Sequence, residues 1–188
     1  GWLSEVEDEI NLTLNNSNWD ETIQEFYIDA GGFGTGFVMT EEDIQERVRF
    51  TALNISEMLI VEDARGRVTE VYRLFEYTAQ QGVERFGSKA GKEANDAVAA
   101  EKFSKKIQYL HAIFTRDVRE IGKKDGINMP VASVWIVVKT KDIISEGGFR
   151  EFPVAVGRFN KRTAEPWGFS PAMDSLADAR MLQAQSRI

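Results

Sequence analysis

Three groups of residues in this 188-residue chain could do chemistry, and each is tested by what surrounds it. The first is Gly31-Gly32-Phe33-Gly34-Thr35-Gly36. Glycine-rich loops let backbone N–H groups close on phosphate. In nucleotide-binding loops the glycines follow a strand and precede a helix. Here a helix candidate precedes and a strand candidate follows. The phosphate-loop lysine is missing too, because Phe37 follows Gly36. The run predicts a chain reversal at positive φ; a nucleotide-binding enzyme is the alternative it leaves open. The second group is the single histidine, His111, set in an alternation with Ile107, Tyr109 and Ile113. That placement predicts a satisfied structural histidine. The third group is acidic: Glu5, Glu7, Asp8 and Glu9, then Glu41, Glu42 and Asp43. Acid–base catalysis needs two carboxyls in different environments at a set separation, whereas clustered acids are usually solvated. With no cysteine and one histidine, thiolate sites, cysteine nucleophiles and multi-histidine metal sites are excluded. The residues therefore predict no catalytic site, no cofactor and no metal.

The elements that position these groups follow from periodicity. Ser4 with Glu7 has capping-box spacing, and Leu3, Val6, Ile10 and Leu14 share one helical face. Asn18 with Glu21 repeats the signal ahead of a second helix carrying Trp19, Ile23, Phe26, Tyr27 and Ala30, expected to close at Gly31-Gly32. Trp2 and Trp19 sit at core-like positions. Strand candidates are 35–40 and 48–52, and 58–77 reads as a hairpin turning at Ala64-Arg65-Gly66-Arg67. Thr78 with Gln81 caps a short helix ending at Gly87; 93–106 reads as an exposed helix. Strands are expected at 107–114, 131–141 and 149–159, the last holding Pro153 at an edge or bulge. Ser170-Pro171 opens a final helix with Met173, Leu176, Ala177 and Leu182 as its apolar stripe. This order is a segregated α+β pattern rather than a βαβ alternation. It divides into 1–87 (helices and hairpin), 88–159 (a helix and a second β region) and 160–188 (a loop and a helix).

Charge is uneven. Residues 1–63 carry 15 acids and two basic residues, a net of −13; residues 64–188 carry 15 acids and 21 basic residues, a net of +6. Such a split suits two faces of an assembly, acidic against basic. The basic pairs Lys105-Lys106, Lys123-Lys124 and Lys161-Arg162 could touch phosphate, but the overall −7 argues against a tight nucleic-acid binder. No apolar run approaches the roughly 20 residues of a spanning helix. The chain opens Gly1-Trp2-Leu3 without methionine, which suggests a piece of a longer protein.

Several segments together resemble the head-to-tail connector, or portal protein, of short-tailed bacteriophages. They are Ser17-Asn18-Trp19 through Phe26-Tyr27 with Gly34-Thr35-Gly36, and Glu62 through Val68 with Gly66, continuing to Val71-Tyr72-Arg73. Thr78 through Gly87 also matches, as does His111-Ala112-Ile113-Phe114-Thr115-Arg116, where Thr115 replaces the usual proline. The most specific match is Phe152-Pro153-Val154 with Arg158-Phe159, then Glu165-Pro166-Trp167-Gly168-Phe169-Ser170-Pro171. In it Trp167 and Phe169 replace the commoner tyrosine and arginine. The resemblance implies a wing-like part of a ring subunit, typically one of twelve, at a capsid vertex. DNA passes through the channel non-specifically during packaging and ejection. The implied partners are identical subunits, the packaging motor (terminase), scaffold or capsid, and tail components, with no membrane. The implied location is the virion, after assembly in the host cytoplasm. No catalytic residue is implied, since the motor supplies the energy. Another capsid structural component is the second alternative. An acidic segment meeting basic residues of a neighbouring copy, such as Arg65, Arg67 and Arg73, would suit a ring.

Overall fold

The computed structural model describes residues 1–123 and 125–185. Lys124, of the Lys123-Lys124 pair, and the last three positions of the expected final helix lie outside the described residues. The elements in chain order begin with α1 (Trp2–Asn15), α2 (Trp19–Phe33), β1 (Thr35–Asp43), β2 (Arg47–Ala52), β3 (Met58–Glu62) and β4 (Val68–Thr78). Next come α3 (Ala79–Phe86), α4 (Lys92–Ala99), β5 (Lys106–Thr115), β6 (Val131–Val137) and β7 (Asp142–Phe149). The last are β8 (Val154–Arg158), β9 (Asn160–Lys161), β10 (Gly168–Phe169) and α5 (Pro171–Gln185). The architecture is α+β, with helices near both ends and two sheet regions. No described helix is long and apolar enough to cross a membrane.

The chain forms two compact units: Gly1–Ser56 with the chain from Pro153 onward, and Glu57–Phe152. They cut across the three sequence segments rather than following them, because β8 leaves its sequence neighbours to pair with β1. The split also regroups the charge. The first unit holds 15 acids against 7 basic residues, a net of −8, and the second 15 against 16, a net of +1.

The second unit is an antiparallel five-stranded sheet in the order β3-β4-β5-β6-β7. Alternation along the strands sorts the core. Phe75, Tyr109, Trp135 and Val137 point to one face and are buried with Ala79, Ala90, Ala94 and Ala97 of the α3–α4 excursion. The alanines let both short helices lie close over the aromatic rings. Tyr109 keeps its hydroxyl satisfied by donating to the Ala90 carbonyl (2.9 Å). Ala112, Ala132 and Val134 form a smaller cluster with Tyr72, Phe114 and Ile136. The expected hairpin forms as β3 and β4, with Gly66 at φ 73° in its turn. The Thr78–Gln81 capping box is complete, with both reciprocal bonds made.

Four expectations need correction here. The 93–106 helix is only Lys92–Ala99, and Ala94 and Ala97 are buried rather than exposed. It stops because β5 must be extended by Lys106 to pair with Thr78. The strand expected at 131–141 ends at Val137, where Lys141 at φ 61° turns the chain into an unforeseen β7. The strand expected at 149–159 is two strands, since β7 ends at Phe149 and β8 starts after Pro153. β8 is an edge strand, as a proline without an N–H donor suggests. The Pro153 carbonyl still accepts from Thr40 N–H (2.9 Å).

In the first unit, β1 lies between β2 and β8. α2 packs on this sheet and runs past Gly31-Gly32 to Phe33, capped by Gly34 at φ 82°. α1 starts at Trp2 rather than at a Ser4 cap, and it buries no residue; Trp2 is exposed, contrary to its core-like position. α5 likewise buries none, so Met173, Leu176 and Leu182 form no buried stripe. Asn18 precedes α2 but makes no cap bond. Its side chain acts as a one-residue strand instead: Nδ2 donates to the Phe50 carbonyl (2.7 Å) and Oδ1 accepts from Phe50 N–H (2.9 Å). Trp19 then meets Phe50 edge-on with ring centroids 4.8 Å apart. Replacing Asn18 by alanine should cost about 1–3 kcal/mol in urea unfolding, the range for stranding a buried polar group. Asn18→Asp should restore little, because a carboxylate cannot donate to the Phe50 carbonyl.

Candidate functional site

The structure draws the sequence-predicted residues Gly34, Thr35, Gly36, Arg158, Trp167, Gly168, Ser170 and Pro171 into one junction of the first unit. β1 supplies Thr35 and Gly36, directly after the αL turn at Gly34. β8 delivers Arg158, and the 162–170 segment returns to the same place. Thr35 and Ser170 are both fully buried. Thr35 Oγ1 accepts from Gly168 N–H (2.8 Å). Ser170 Oγ donates to the Gly32 carbonyl (2.8 Å) and accepts from Met173 N–H (3.1 Å) as the cap of α5. Pro171 fills the first position of α5, where its missing N–H costs nothing. Phe159 N–H donates to the Gly34 carbonyl (2.9 Å), and Arg158 Nη1 donates to the Pro166 carbonyl (3.1 Å). Trp167 stands edge-on to the buried Phe37 at 6.0 Å.

Glycine is required here by space as well as by φ. A Cβ on Gly34 would strike the Gly168 carbonyl and reach 2.8 Å from the Phe169 carbonyl carbon. A Cβ on Gly168 would strike the Gly34 carbonyl in return. Gly36 and Gly157 are register partners across β1 and β8, and the Phe26 ring of α2 lies over both. A Cβ would come within 2.7 Å of that ring at Gly36 and would strike the ring's Cζ at Gly157. The space beside Gly34 and Gly36 is therefore filled by the chain's own Gly168 and Phe26, while Gly31 and Gly32 belong to α2. The run thus forms a helix end and a strand start rather than the loop that the nucleotide-binding alternative needs. Phe26 and Gly157 do not stand among the sequence-predicted site residues. An isolated glycine inside a strand was the signal available for Gly157.

The remaining sequence-predicted residues lie elsewhere. Pro153 precedes β8, and Gly66 turns the β3–β4 hairpin. Arg116, just past β5, is held by Glu146 (2.8 Å) and donates to the Gly147 carbonyl (3.0 Å). Arg73 and His111 are cross-strand partners, and His111 is in turn opposite Trp135. Arg73 pairs with Glu57 (2.8 Å) and lies over the Phe75 ring at 4.4 Å. His111 bonds Ser133 Oγ (2.8 Å) through Nε2 and stacks on Trp135 at 3.8 Å between centroids. Arg85 also lies over the Trp135 ring, its guanidinium 4.6 Å from the centroid.

Burial pushes the His111 pKa down to about 3, with the positive charges of Arg85 and Arg73 adding to it. The imidazole thus stays neutral near pH 7. With 3% exposure for His111 and 8% for Ser133, the pair is closed to substrate. It is a satisfied structural pair, as the alternation predicts. Among the described residues, no group of three or more His, Cys, Asp or Glu could hold a metal ion.

Residues 1–188 match the family described as bacteriophage head to tail connecting protein. The sequence is 30% identical over 188 residues to the "Probable portal protein" of Bordetella phage BPP-1, covering 97% of this chain and 33% of that protein. It is 27% identical over 190 residues to the "Portal protein" of Salmonella phage epsilon15, covering 99% of this chain and 34% of that protein. The chain spans about a third of the length of these relatives.

Two outcomes follow from the geometry. Gly36→Ala should destabilise the chain by about 1–3 kcal/mol, the usual cost of overpacking. In a Phe26→Ala background that cost should fall only in part, because the Phe26 carbonyl also lies 2.7 Å from the Gly36 Cβ position; a double-mutant cycle in urea reads the difference. For His111 the folded pKa lies below the unfolded value near 6.5, so the unfolded state binds the extra proton between them. Stability from this residue is therefore present above pH about 6.5 and drains as pH falls toward about 3. In NMR the His111 ring resonances should not titrate in the folded chain from neutral pH down to about 4.5; a midpoint near the reference value of about 6.5 would overturn the burial argument.

Proposed function

The chain belongs to the bacteriophage head to tail connecting protein family, and from that premise we propose that it builds a structural subunit of a portal ring. The ring forms the conduit through which double-stranded DNA is packaged and ejected. The observation that carries the reading is the family match over residues 1–188. The names of the two phage relatives support it. In this reading the two units form the wing-like part of the subunit, and identical copies stand side by side around the channel, twelve in the closed ring. Terminase, scaffold or capsid, and tail components dock on the assembled ring at the capsid vertex of the virion, after assembly in the host cytoplasm.

The site chemistry is in keeping with a conduit. The sequence-predicted residues Gly34, Thr35, Gly36, Arg158, Trp167, Gly168, Ser170 and Pro171 serve as backbone-to-backbone packing and caps. Their role in this reading is to hold α2, β8 and the start of α5 in one fixed geometry, which a ring must repeat at every subunit. Gly66, Arg73, His111, Arg116 and Pro153 keep the turns and strand ends of the sheets in register. No step of DNA movement asks for a cofactor or a catalytic side chain from this chain, because the packaging motor hydrolyses the nucleotide. The first unit's net of −8 would repel phosphate rather than grip it, which suits a surface that DNA must slide past.

Negative-stain microscopy of the complete reading frame that contains these residues tests the proposal. Closed rings with a central channel are the expected outcome, and discrete small particles at every concentration would overturn it. A Gly168→Val variant should lower the yield of closed rings, since it disrupts the Gly34 contact in each subunit. Rings formed at wild-type yield by that variant would remove the junction from the assembly role assigned to it.

A further inference from the structure

Two exposed surfaces of the chain are opposite in charge, and each is incompletely packed. α1 is 14 residues long and buries none of them. A helix of that length is marginal in water without a packed face. Its apolar stripe is nevertheless well formed: Trp2, Leu3, Val6 and Ile10 are 73%, 75%, 36% and 54% exposed. Only the Ile10–Leu14 end approaches Val48 and Phe50 of the sheet. The stripe is flanked by Glu5, Glu7, Asp8 and Glu9, and the helix has no basic residue. Among the described residues Glu9 pairs with Arg47 (2.6 Å), while Glu5, Glu7 and Asp8 make no ion pair.

The second surface is on the other unit. A groove of about 480 Å³ runs beside α4, the 100–105 turn and the end of β6. Ala97 and Ala100 lie in its floor, and Lys92, Lys102, Lys105 and Lys139 stand around it against Glu93 and Asp96. Glu93 draws in Lys105 (2.8 Å) and Lys139 (3.0 Å), which fixes the ammonium groups along one wall. Lys92 and Lys102 are exposed and make no ion pair among the described residues. Phe103, 45% exposed, follows directly in the chain. The groove thus presents a small apolar floor under a basic rim, the counterpart of an apolar stripe flanked by acids. Of the three hairpin cations that the sequence offers for this role, Arg67 is held by Asp63 (3.1 Å) and Arg73 by Glu57 (2.8 Å), which leaves Arg65 alone without an ion pair among the described residues.

We infer that α1 of one copy docks into the Lys92–Lys102–Lys139 groove of a second copy. The inference rests on the ring reading above and names the surfaces that would join neighbouring subunits. Because the two surfaces differ and lie on different units, the contact is heterologous: every copy offers one of each. Such contacts repeat head to tail and form a ring where the rotation closes. Exposed charges steer the encounter and are screened by salt. Trp2 and Ile10, exposed on the single chain, supply the apolar part of the contact.

Two sets of exposed substitutions test this in sedimentation velocity. One set neutralises the helix (Glu5→Gln, Glu7→Gln, Asp8→Asn); the other neutralises the groove (Lys92→Gln, Lys102→Gln, Lys139→Gln). The wild-type chain should self-associate with rising concentration, with an apparent Kd about tenfold weaker at high salt than at low salt. Each variant alone should stay monomeric with an unchanged melting temperature. An equimolar mixture should form a one-to-one complex that stops at two, because it retains one intact helix and one intact groove. A monomeric wild type, association by either variant alone, or a mixture that stays monomeric would overturn the docking. The same substitutions in the complete reading frame separate this from the ring reading. Rings forming unchanged from both variants reject the docking and keep the ring, whereas no rings from the wild-type frame reject the ring itself.

Discussion

Bare backbone at two glycine pairs is the constraint on which the first unit depends. Gly36 and Gly157 face each other across β1 and β8, and the Phe26 ring of α2 occupies the space their side chains would take. Gly34 and Gly168 meet carbonyl to Cα at the end of the same strands. Close packing leaves no room for even one added methyl group at these points. The helix angle over the sheet, the αL cap at Gly34 and the return of the 162–170 segment are therefore fixed together. Thr35 and Ser170 then satisfy the backbone groups that this close approach would otherwise strand.

The second unit is organised by a different rule. A short helical excursion between β4 and β5 folds back over one face of a sheet that is otherwise a simple meander. Alanines on the helices and aromatic rings on the strands make that packing possible. Where polar groups enter the same face they come as a set: Arg73, His111, Trp135 and Arg85 stack or bond side by side, and Glu57 answers the Arg73 charge. Keeping His111 neutral is part of that arrangement, since a third positive charge beside Arg73 and Arg85 would be buried without an anion in contact. The two units thus differ in their polar chemistry as they do in net charge. One uses glycine and hydroxyl groups to join backbones; the other uses rings and guanidinium groups.

Both patterns fix the positions of the elements they join. Neither the glycine junction nor the histidine pair leaves an open volume beside a reactive group. The acid-rich first unit and the lysine groove of the second place the chain's uncompensated charge on its surface.

Local signals were legible in the sequence wherever one element decides its own form. The α+β class, the 58–77 hairpin, the Thr78–Gln81 box, the structural role of His111 and the Ser170-Pro171 helix start were all readable from spacing. The resemblance also singled out Gly34, Thr35, Gly168 and Ser170 without saying that they touch. Tertiary structure decided what depends on residues distant in the chain. It made Asn18 a strand mimic rather than a cap, buried the alanines of α4, left α1 and α5 without a buried residue, and broke 149–159 into two strands. It also regrouped a −13 and +6 split by position into −8 and +1 by unit. The reason is physical: helix caps and turns are set by bonds a few residues apart, whereas burial, register and the space beside a glycine are set by whichever strand the fold brings alongside.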